Sequence, residues 1–458
     1  MTADPAYIYK KKADHAPELL YPRGTVTNRT VTDAASMCGT PFYLYDGSLI
    51  ADQCRSLLHM PRAHGLSVRY AIKANPSRAV LELIAAQGMQ FEAGSMNEVK
   101  RAQLAGIHPG KILLTSQDVP DKQNLLLLKQ LMHRGLNYTI CSFLQLQRIA
   151  PYAGQNGIPL CIRIHPGQGS GASATRNTGD AYASFGVQQG ELPLVLRFAR
   201  EQGIEFSRLH VHIGSGSEPA LWKENVLRTL HTVEEAFPHV TTINLGGGFK
   251  VARMPDEDGA DINELGEFTA EKLRDFSRQT GRKLHLEIEP GTFVVANSGY
   301  LVTSVIDIKP NRDNEFMFYL LNGGMESNPR PLMYGARHPF YMVSKSGKLL
   351  WSDFKAGQPD CPGVIVGRCC ETGDSQCLDP RGIVTPRPMA RPGLGDMIVI
   401  GGTGAYCSSM APFNYNSYLQ AAECMLVPGQ GLRLIREAQS LEQLVNNEKG
   451  LAGTGRQV

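Results

Sequence analysis

Four short stretches of this chain carry residue types that could do chemistry together. Lys73 closes the apolar run SVRYAIKAN (67–75). An amine at the end of a strand is useful as a Schiff-base former, which needs a neutral nitrogen and a depressed pKa. In RLHVHIGSG (208–216), strand alternation puts His210 and His212 on one face, where an imidazole can lie against a planar ring. In TTINLGGGF (241–249), Gly246, Gly247 and Gly248 let backbone N–H groups close around an anion. In KLHLEIEPG (283–291), Glu287 and Glu289 share a face. A carboxylate beside a pyridine nitrogen keeps that nitrogen protonated and makes the ring an electron sink. Each stretch alone has a plainer reading: a solvated lysine, a packed core histidine, a tight turn, a carboxylate in an ion pair. Together they supply an imine-forming amine, a ring stack, a phosphate cradle and a nitrogen partner, the set that pyridoxal 5′-phosphate (PLP) requires.

These stretches need elements that bring their ends to one place. From about residue 66 to 291, eight apolar or β-branched runs alternate with helix-like segments such as SRAVLELIAAQG and NEVKRAQLAG. The runs not quoted above are MQFEAGS (89–95), KILLTSQ (111–117), NYTICS (137–142) and PLCIRIHP (159–166). Apolar residues three and four apart mark amphipathic helices. A strand followed by a helix, repeated, implies parallel pairing with right-handed crossovers. Eight such units predict a closed (β/α)8 barrel over 41–292 rather than an open doubly wound sheet, with the active site at the C-terminal ends of the strands. After residue 292 the runs VVANSGYLVTSVIDIKP, EFMFYLLNGG and GDMIVIGGTG are β-rich, without intervening helices, and punctuated by Pro and Gly. They predict a second, antiparallel β-rich domain (293–458), Greek-key or sandwich-like, to which residues 1–40 contribute. The Gly/Ser/Ala-rich stretch 167–183 is expected to be a loop at the barrel mouth, where loops often act as lids.

Composition removes several function classes. Lys plus Arg number 46 and Asp plus Glu 43, a formal charge of +3. That balance gives no reason to expect a nucleic-acid or anionic-membrane partner. No apolar stretch of about eighteen residues occurs, and the N-terminus lacks a signal-peptide core. A cytosolic enzyme is expected. The ten cysteines include no CxxC, and no metal site is expected among them. They read as mostly buried free thiols, with four clustered between 361 and 377.

The strings YAIKAN, FEAGSMNE, HVHIGSG, NLGGGF, EPG, CCETGD and GAYCSSM follow in order from residue 70 to about 410. Through them the chain resembles the PLP enzymes of the alanine racemase fold, and among these the diaminopimelate decarboxylase family. The resemblance implies a head-to-tail homodimer of barrel plus β-domain subunits, with each active site shared between two chains. It implies Lys73 as the lysine that binds the cofactor covalently, and His212 as the histidine on the pyridine ring. It likewise implies Ser215 and Gly246–Gly248 as phosphate contacts, Glu289 as the partner of the pyridine nitrogen, and Gly291 at the cofactor. Tyr406 resembles a tyrosine near phosphate and substrate. Cys370 and Glu371 resemble a pair given by the neighbouring subunit, the thiol returning a proton to the α-carbon and the carboxylate binding the substrate's distal amino group. Cys369 is additional, and adjacent thiols in an extended segment cannot both face one site.

One departure bears on substrate. The family motif EPGR reads Glu289-Pro290-Gly291-Thr292 here. The family arginine helps hold the second carboxylate of diaminopimelate, and threonine supplies no charged fork. Arg330 and Tyr334, two other distal contacts, persist in NPRPLMY. Decarboxylation at a D centre without that clamp suits D-ornithine or D-lysine, giving putrescine or cadaverine, so the chain resembles a D-ornithine/D-lysine decarboxylase. The alternative is meso-diaminopimelate. His165-Pro166 also departs from the family's Asn-Pro. Two rivals weaken on the same residues. A racemase of this fold places arginine, not Glu289, at the pyridine nitrogen. A regulatory homologue without activity tends to lose Lys73 or the Cys370–Glu371 pair.

Overall fold

Short strands buried on both faces, each followed by an amphipathic helix, can satisfy their backbone and hide their apolar surface by closing on themselves. The computed structural model shows this closure. It describes residues 16–167, 178–179, 182–216, 218–355, 359 and 361–451. The expected lid at 167–183 lies for the most part outside the described residues. Packing divides the chain into a barrel unit, Leu49–Ala252 with Asp256–Ala296, and a sheet unit that uses both ends of the chain together with Arg253–Pro255.

Strand β1 (Phe42–Asp46) belongs to the sheet unit. The closed barrel runs β2 (Leu66–Ala71), β3 (Gln90–Ala93), β4 (Ile112–Thr115), β5 (Asn137–Ile140), β6 (Leu160–Arg163), β7 (Phe206–His210), β8 (Thr242–Asn244) and β9 (His285–Ile288). All eight neighbouring pairs are parallel, and β2 pairs with β9 to close the ring. Local signals fix the helices between them. Over Ile262–Thr280, Asp261 caps the N-terminus by accepting from the Asn263 and Glu264 amides, and Gly281 ends the helix at φ 73°. Its buried residues Ile262, Leu265, Thr269, Leu273 and Phe276 repeat every three or four positions, which is the face a barrel helix must bury.

Period two along the strands stacks polar residues in layers inside the barrel. Arg69, Arg208 and Glu287 form the lower layer. The Arg69 guanidinium lies 2.8 Å from Glu287 Oε1, and that of Arg208 lies 2.7 Å from Oε2. Burial opposes ionisation of Glu287, but the two guanidiniums outweigh it and hold its carboxyl below the ordinary value. The next inward residues along the same strands reach the barrel mouth.

The remaining strands form one ten-stranded sheet. They are β10 (Gly299–Pro310), β11 (Met317–Leu321), β12 (Phe340–Val343), β13 (Leu349–Ser352), β14 (Cys361–Val366), β15 (Arg387–Met389), β16 (Met397–Gly401), β17 (Ala422–Val427) and β18 (Gly431–Arg436), joined by β1. The sheet is mixed rather than purely antiparallel, because β1 pairs parallel to β17 and β11 parallel to β14. In both pairs the partners are far apart in sequence, so no tight hairpin dictates their direction. Phe42, Leu44, Tyr300, Val302, Tyr341, Val399 and Cys424 build its core with Val31 and Ala35 of the helix Asn28–Cys38. No helix among the described residues is long and apolar enough to cross a membrane.

Candidate active site

At the barrel mouth, Lys73 sits in a single 3-10 turn (Ile72–Ala74) directly after β2. Its ammonium lies 3.4 Å from Glu92 Oε2. That pairing follows from register, since Ala71 on β2 stands opposite Glu92 on β3. The lysine side chain is half exposed while Glu92 is 2% exposed. Burial raises the Glu92 carboxyl, against the pull of Lys73, and pushes it up to about 7. Glu98 stands behind this pair. It accepts from the Gly94 amide at 2.7 Å, its own amide is capped by Ser95, and burial raises its carboxyl as well.

The Glu289 carboxylate lies one residue past β9. Its Oε1 accepts from Asn244 Nδ2 at 2.7 Å, and its Oε2 stands 3.4 Å from His210 Nε2. Burial works against its ionisation, but His210 and then Lys73 overcome that penalty and hold the carboxyl well below the ordinary range. His212 is driven the other way. Burial first, then the positive charges of Arg163 and Lys73, keep its pKa well below the ordinary value, so the ring is neutral near pH 7. Its Nδ1 accepts from the Gly247 amide at 3.3 Å.

The glycines are needed for space. A Cβ on Gly246, at φ 68°, would meet the His212 ring at 2.5 Å, and one on Gly247 would meet the Glu289 carbonyl oxygen at 2.4 Å. Gly248, at φ 105°, accepts through its carbonyl from the Gly216 amide at 3.1 Å, which brings the loop holding Ser215 against the glycine run. Gly291 sits against the lysine segment. A Cβ there would meet Ala74 and Ala71, and the Pro290 carbonyl accepts from the Ala71 amide at 3.1 Å. Thr292 follows, partly exposed, as the first residue of a four-residue helical turn. The barrel unit therefore gathers Lys73, His212, Ser215, Gly246–Gly248, Glu289, Gly291 and Thr292 at one end.

The other candidates lie in the sheet unit. Arg330 is 3% exposed, with its guanidinium carbon 5.6 Å from the Tyr334 ring centroid. Tyr406 adopts φ 58°, a conformation rare for a residue with a side chain. The two adjacent thiols part company. Cys369 is buried and donates to Glu326 Oε2 at 3.5 Å, whereas Cys370 is exposed, with its amide donating to Asn416 Oδ1 at 2.9 Å. Asp374 shapes this loop by accepting from the Met325 and Cys369 amides. The space for its carboxylate is left by Gly324 and Gly367. Glu371 is exposed beside Cys370.

Sequence reasoning missed Glu92, Arg163 and Asn244 at the mouth, and Glu326 and Asp374 under the cysteine loop. Glu92 had a signal. It is a carboxylate inside an otherwise apolar strand, and a charge there needs a partner.

Comparison with known proteins agrees with the barrel-plus-sheet fold. Residues 49–296 match the family model described as "Pyridoxal-dependent decarboxylase, pyridoxal binding domain". The chain is 32% identical over 430 residues to a diaminopimelate decarboxylase of Streptomyces coelicolor, covering 93% of each. It is 30% identical over 411 residues to that of Escherichia coli K12, covering 89% of this chain and 93% of the other. A crystal structure of a diaminopimelate decarboxylase superposes with a TM-score of 0.81 at 29% identity, covering 93% of this chain and 98% of the other.

Proposed function

The chain belongs to the pyridoxal-dependent decarboxylases, carboxy-lyases that work with PLP, and on that footing we propose that it removes carbon dioxide from the D centre of a small basic amino acid, D-ornithine or D-lysine. The products are putrescine and cadaverine, and the working form is a cytoplasmic homodimer with shared active sites.

The residues at the mouth fit the cofactor. A glycine run packed without side chains against the His212 ring and beside the Ser215 loop, an ionised Glu289 and a lysine on a half-exposed turn match its phosphate, ring nitrogen and aldehyde. When bound, PLP accepts the electron pair left at the α-carbon as the carboxylate departs. In this reading Lys73 anchors the cofactor, and Glu92, 3.4 Å away, holds the amine in place. The neutral His212 ring lies against the pyridine. Glu289 keeps the ring nitrogen protonated. The glycine run Gly246–Gly248 and the Ser215 hydroxyl line the place of the phosphate, the Gly246 and Gly247 amides themselves being given to Asn244 Oδ1 at 2.9 Å and His212 Nδ1 at 3.3 Å, and Gly291 lets the lysine segment pass close by. Cys370, exposed and given by the neighbouring subunit, holds the proton that returns to the α-carbon. Glu371, given like Cys370 by the neighbouring subunit of the homodimer, takes the substrate's distal amino group, and Arg330, Tyr334 and Tyr406 serve substrate binding.

Thr292 carries the substrate assignment. It stands directly after Gly291 where the family arginine would grip a distal carboxylate, and its side chain offers a hydroxyl in place of a guanidinium. A specific observation favours the second reading, meso-diaminopimelate. Arg253 is 9% exposed and sits in the sheet unit with Arg330. Both guanidiniums act on Cys407 and His338, so this unit holds two buried cations that could serve a distal carboxylate. The two relatives compared at 30% identity or more are also diaminopimelate decarboxylases. Carbon dioxide release from meso-diaminopimelate, D-lysine, D-ornithine and the L isomers, compared by kcat/KM, decides between the readings. We expect the D isomers to lead by at least about tenfold, the effect of one lost charged contact. A preference for meso-diaminopimelate overturns the first reading in favour of the second, and a preference for an L isomer overturns both.

A further inference from the structure

Glu326 has no part in the reaction described above, yet both residues that precede Cys370 in the chain are tied to it. It sits in a turn of the sheet unit, where the Ser327 and Asn328 amides donate to the Gly324 carbonyl at 3.0 and 2.8 Å. Its side chain is 4% exposed. One oxygen, Oε1, lies 3.1 Å from Arg368 Nε. The other, Oε2, accepts from the Gly324 amide at 2.8 Å and from the Cys369 thiol at 3.5 Å. Burial first, then the charges of Glu326 and Asp374, raise the Cys369 thiol well above its ordinary value, so it stays protonated and can donate.

Other contacts finish the fastening. Asp374 joins the same two segments, accepting from the Met325 amide at 2.7 Å and the Cys369 amide at 2.8 Å. The Arg368 guanidinium carbon lies 3.9 Å from the Tyr418 ring centroid, and the Tyr418 hydroxyl donates to the Arg368 carbonyl at 3.2 Å. The Cys370 amide donates to Asn416 Oδ1 at 2.9 Å. Arg368, Cys369 and Cys370 are thus each held by a group from another segment, and Cys370 alone of the two thiols is exposed. A buried ion pair adds little stability over apolar residues of the same volume, and its best-attested use is to specify one arrangement of the segments that it joins.

We propose that Glu326 is a positioning residue for decarboxylation. Through Arg368 and Cys369 it holds the loop in the one arrangement that presents the Cys370 thiol for return of the proton. Buried as it is, Glu326 acts only through these neighbours. This role rests on the one proposed for Cys370.

The test is a double-mutant cycle on the PLP-loaded enzyme between Glu326→Gln, which keeps the shape and removes the charge, and Cys370→Ala. It reads kcat on D-ornithine, with meso-diaminopimelate in parallel, together with PLP affinity. Glu326→Gln should lower kcat by about 10–100-fold, as for a reacting group displaced by an ångström, and leave PLP affinity unchanged, because the cofactor residues lie in the barrel unit. In the Cys370→Ala background the same substitution should change kcat by no more than about twofold, since a group acting only through the thiol has nothing left to position. Arg368→Gln, at the 22% exposed end of the ion pair, should give the same pattern and carries the cycle if Glu326→Gln fails to melt cooperatively. Equal losses of kcat in both backgrounds, or a parallel loss of PLP affinity, would mark a merely structural role and overturn the proposal. Full kcat in Glu326→Gln beside a slow Cys370→Ala would overturn the positioning role alone. Full kcat in Cys370→Ala would remove the proton-returning role of Cys370 and the positioning role with it.

Discussion

Glu287 and Glu289 are two residues apart, face the same way and are both buried inside the barrel, yet they do different work. Glu287 is clamped by two guanidiniums, so its charge is consumed by structure. Glu289 meets one amide and one imidazole, the latter at 3.4 Å, and its charge stays directed at the mouth. The barrel thus holds two polar layers, a lower one that fixes the strands and an upper one with reactive capacity. A buried charge becomes available for chemistry only where its partners are too few or too weak to neutralise it.

Substitutions at the two positions should separate the layers. Glu289→Gln should lower kcat by about 10²–10³-fold, as for loss of a preorganised electrostatic contact, with thermal stability nearly kept. A loss under tenfold, measured at saturating PLP and substrate, would put the nitrogen partner elsewhere. Glu287→Gln should do the reverse. Breaking a buried ion cluster by removing one partner costs about 3–5 kcal/mol, read as a lower urea midpoint, while the folded fraction keeps its turnover. A large fall in turnover with unchanged stability would erase the distinction between the layers.

The smallest effect concerns pH. Glu92 rises to about 7 from an ordinary 4.5, so between those values the folded state holds a proton that the unfolded chain has released. Its contribution to stability is present below pH 4.5 and is lost as pH rises to about 7. The lowered carboxyls of Glu287 and Glu289 have the opposite sign, with their contribution present above 4.5 and lost in acid. Glu92→Gln should therefore flatten the stability profile between pH 4.5 and 7 and leave the acid limb intact. An unchanged slope in that window would mean that Lys73 keeps Glu92 ionised throughout.

How legible these features were depends on how local their causes are. Each of the eight barrel strands overlaps an apolar run read from sequence, β2 starting one residue and β7 two residues before its run, because strands buried on both faces are mostly apolar. Polar residues at those strand ends stood out against that background, which is why Lys73, His212, Gly246–Gly248 and Glu289 could be named. The ten-stranded sheet was harder. The pairing of Phe42 with Ala422 and the parallel run of Met317 beside Gly363 have no local signature. The same holds for Glu326, whose partners Arg368 and Cys369 come from a distant segment. The partition of the two adjacent thiols was foreseen as a steric necessity, but the carboxylate that receives the buried one was not.

The account depends most on the attachment of the cofactor at position 73. Borohydride reduction of the PLP-loaded enzyme, followed by proteolysis and mass mapping, should place a reduced pyridoxyl group on the peptide carrying Lys73, and Lys73→Ala should abolish the label together with turnover. A label on any other lysine, or none in an enzyme that still releases carbon dioxide, would contradict it.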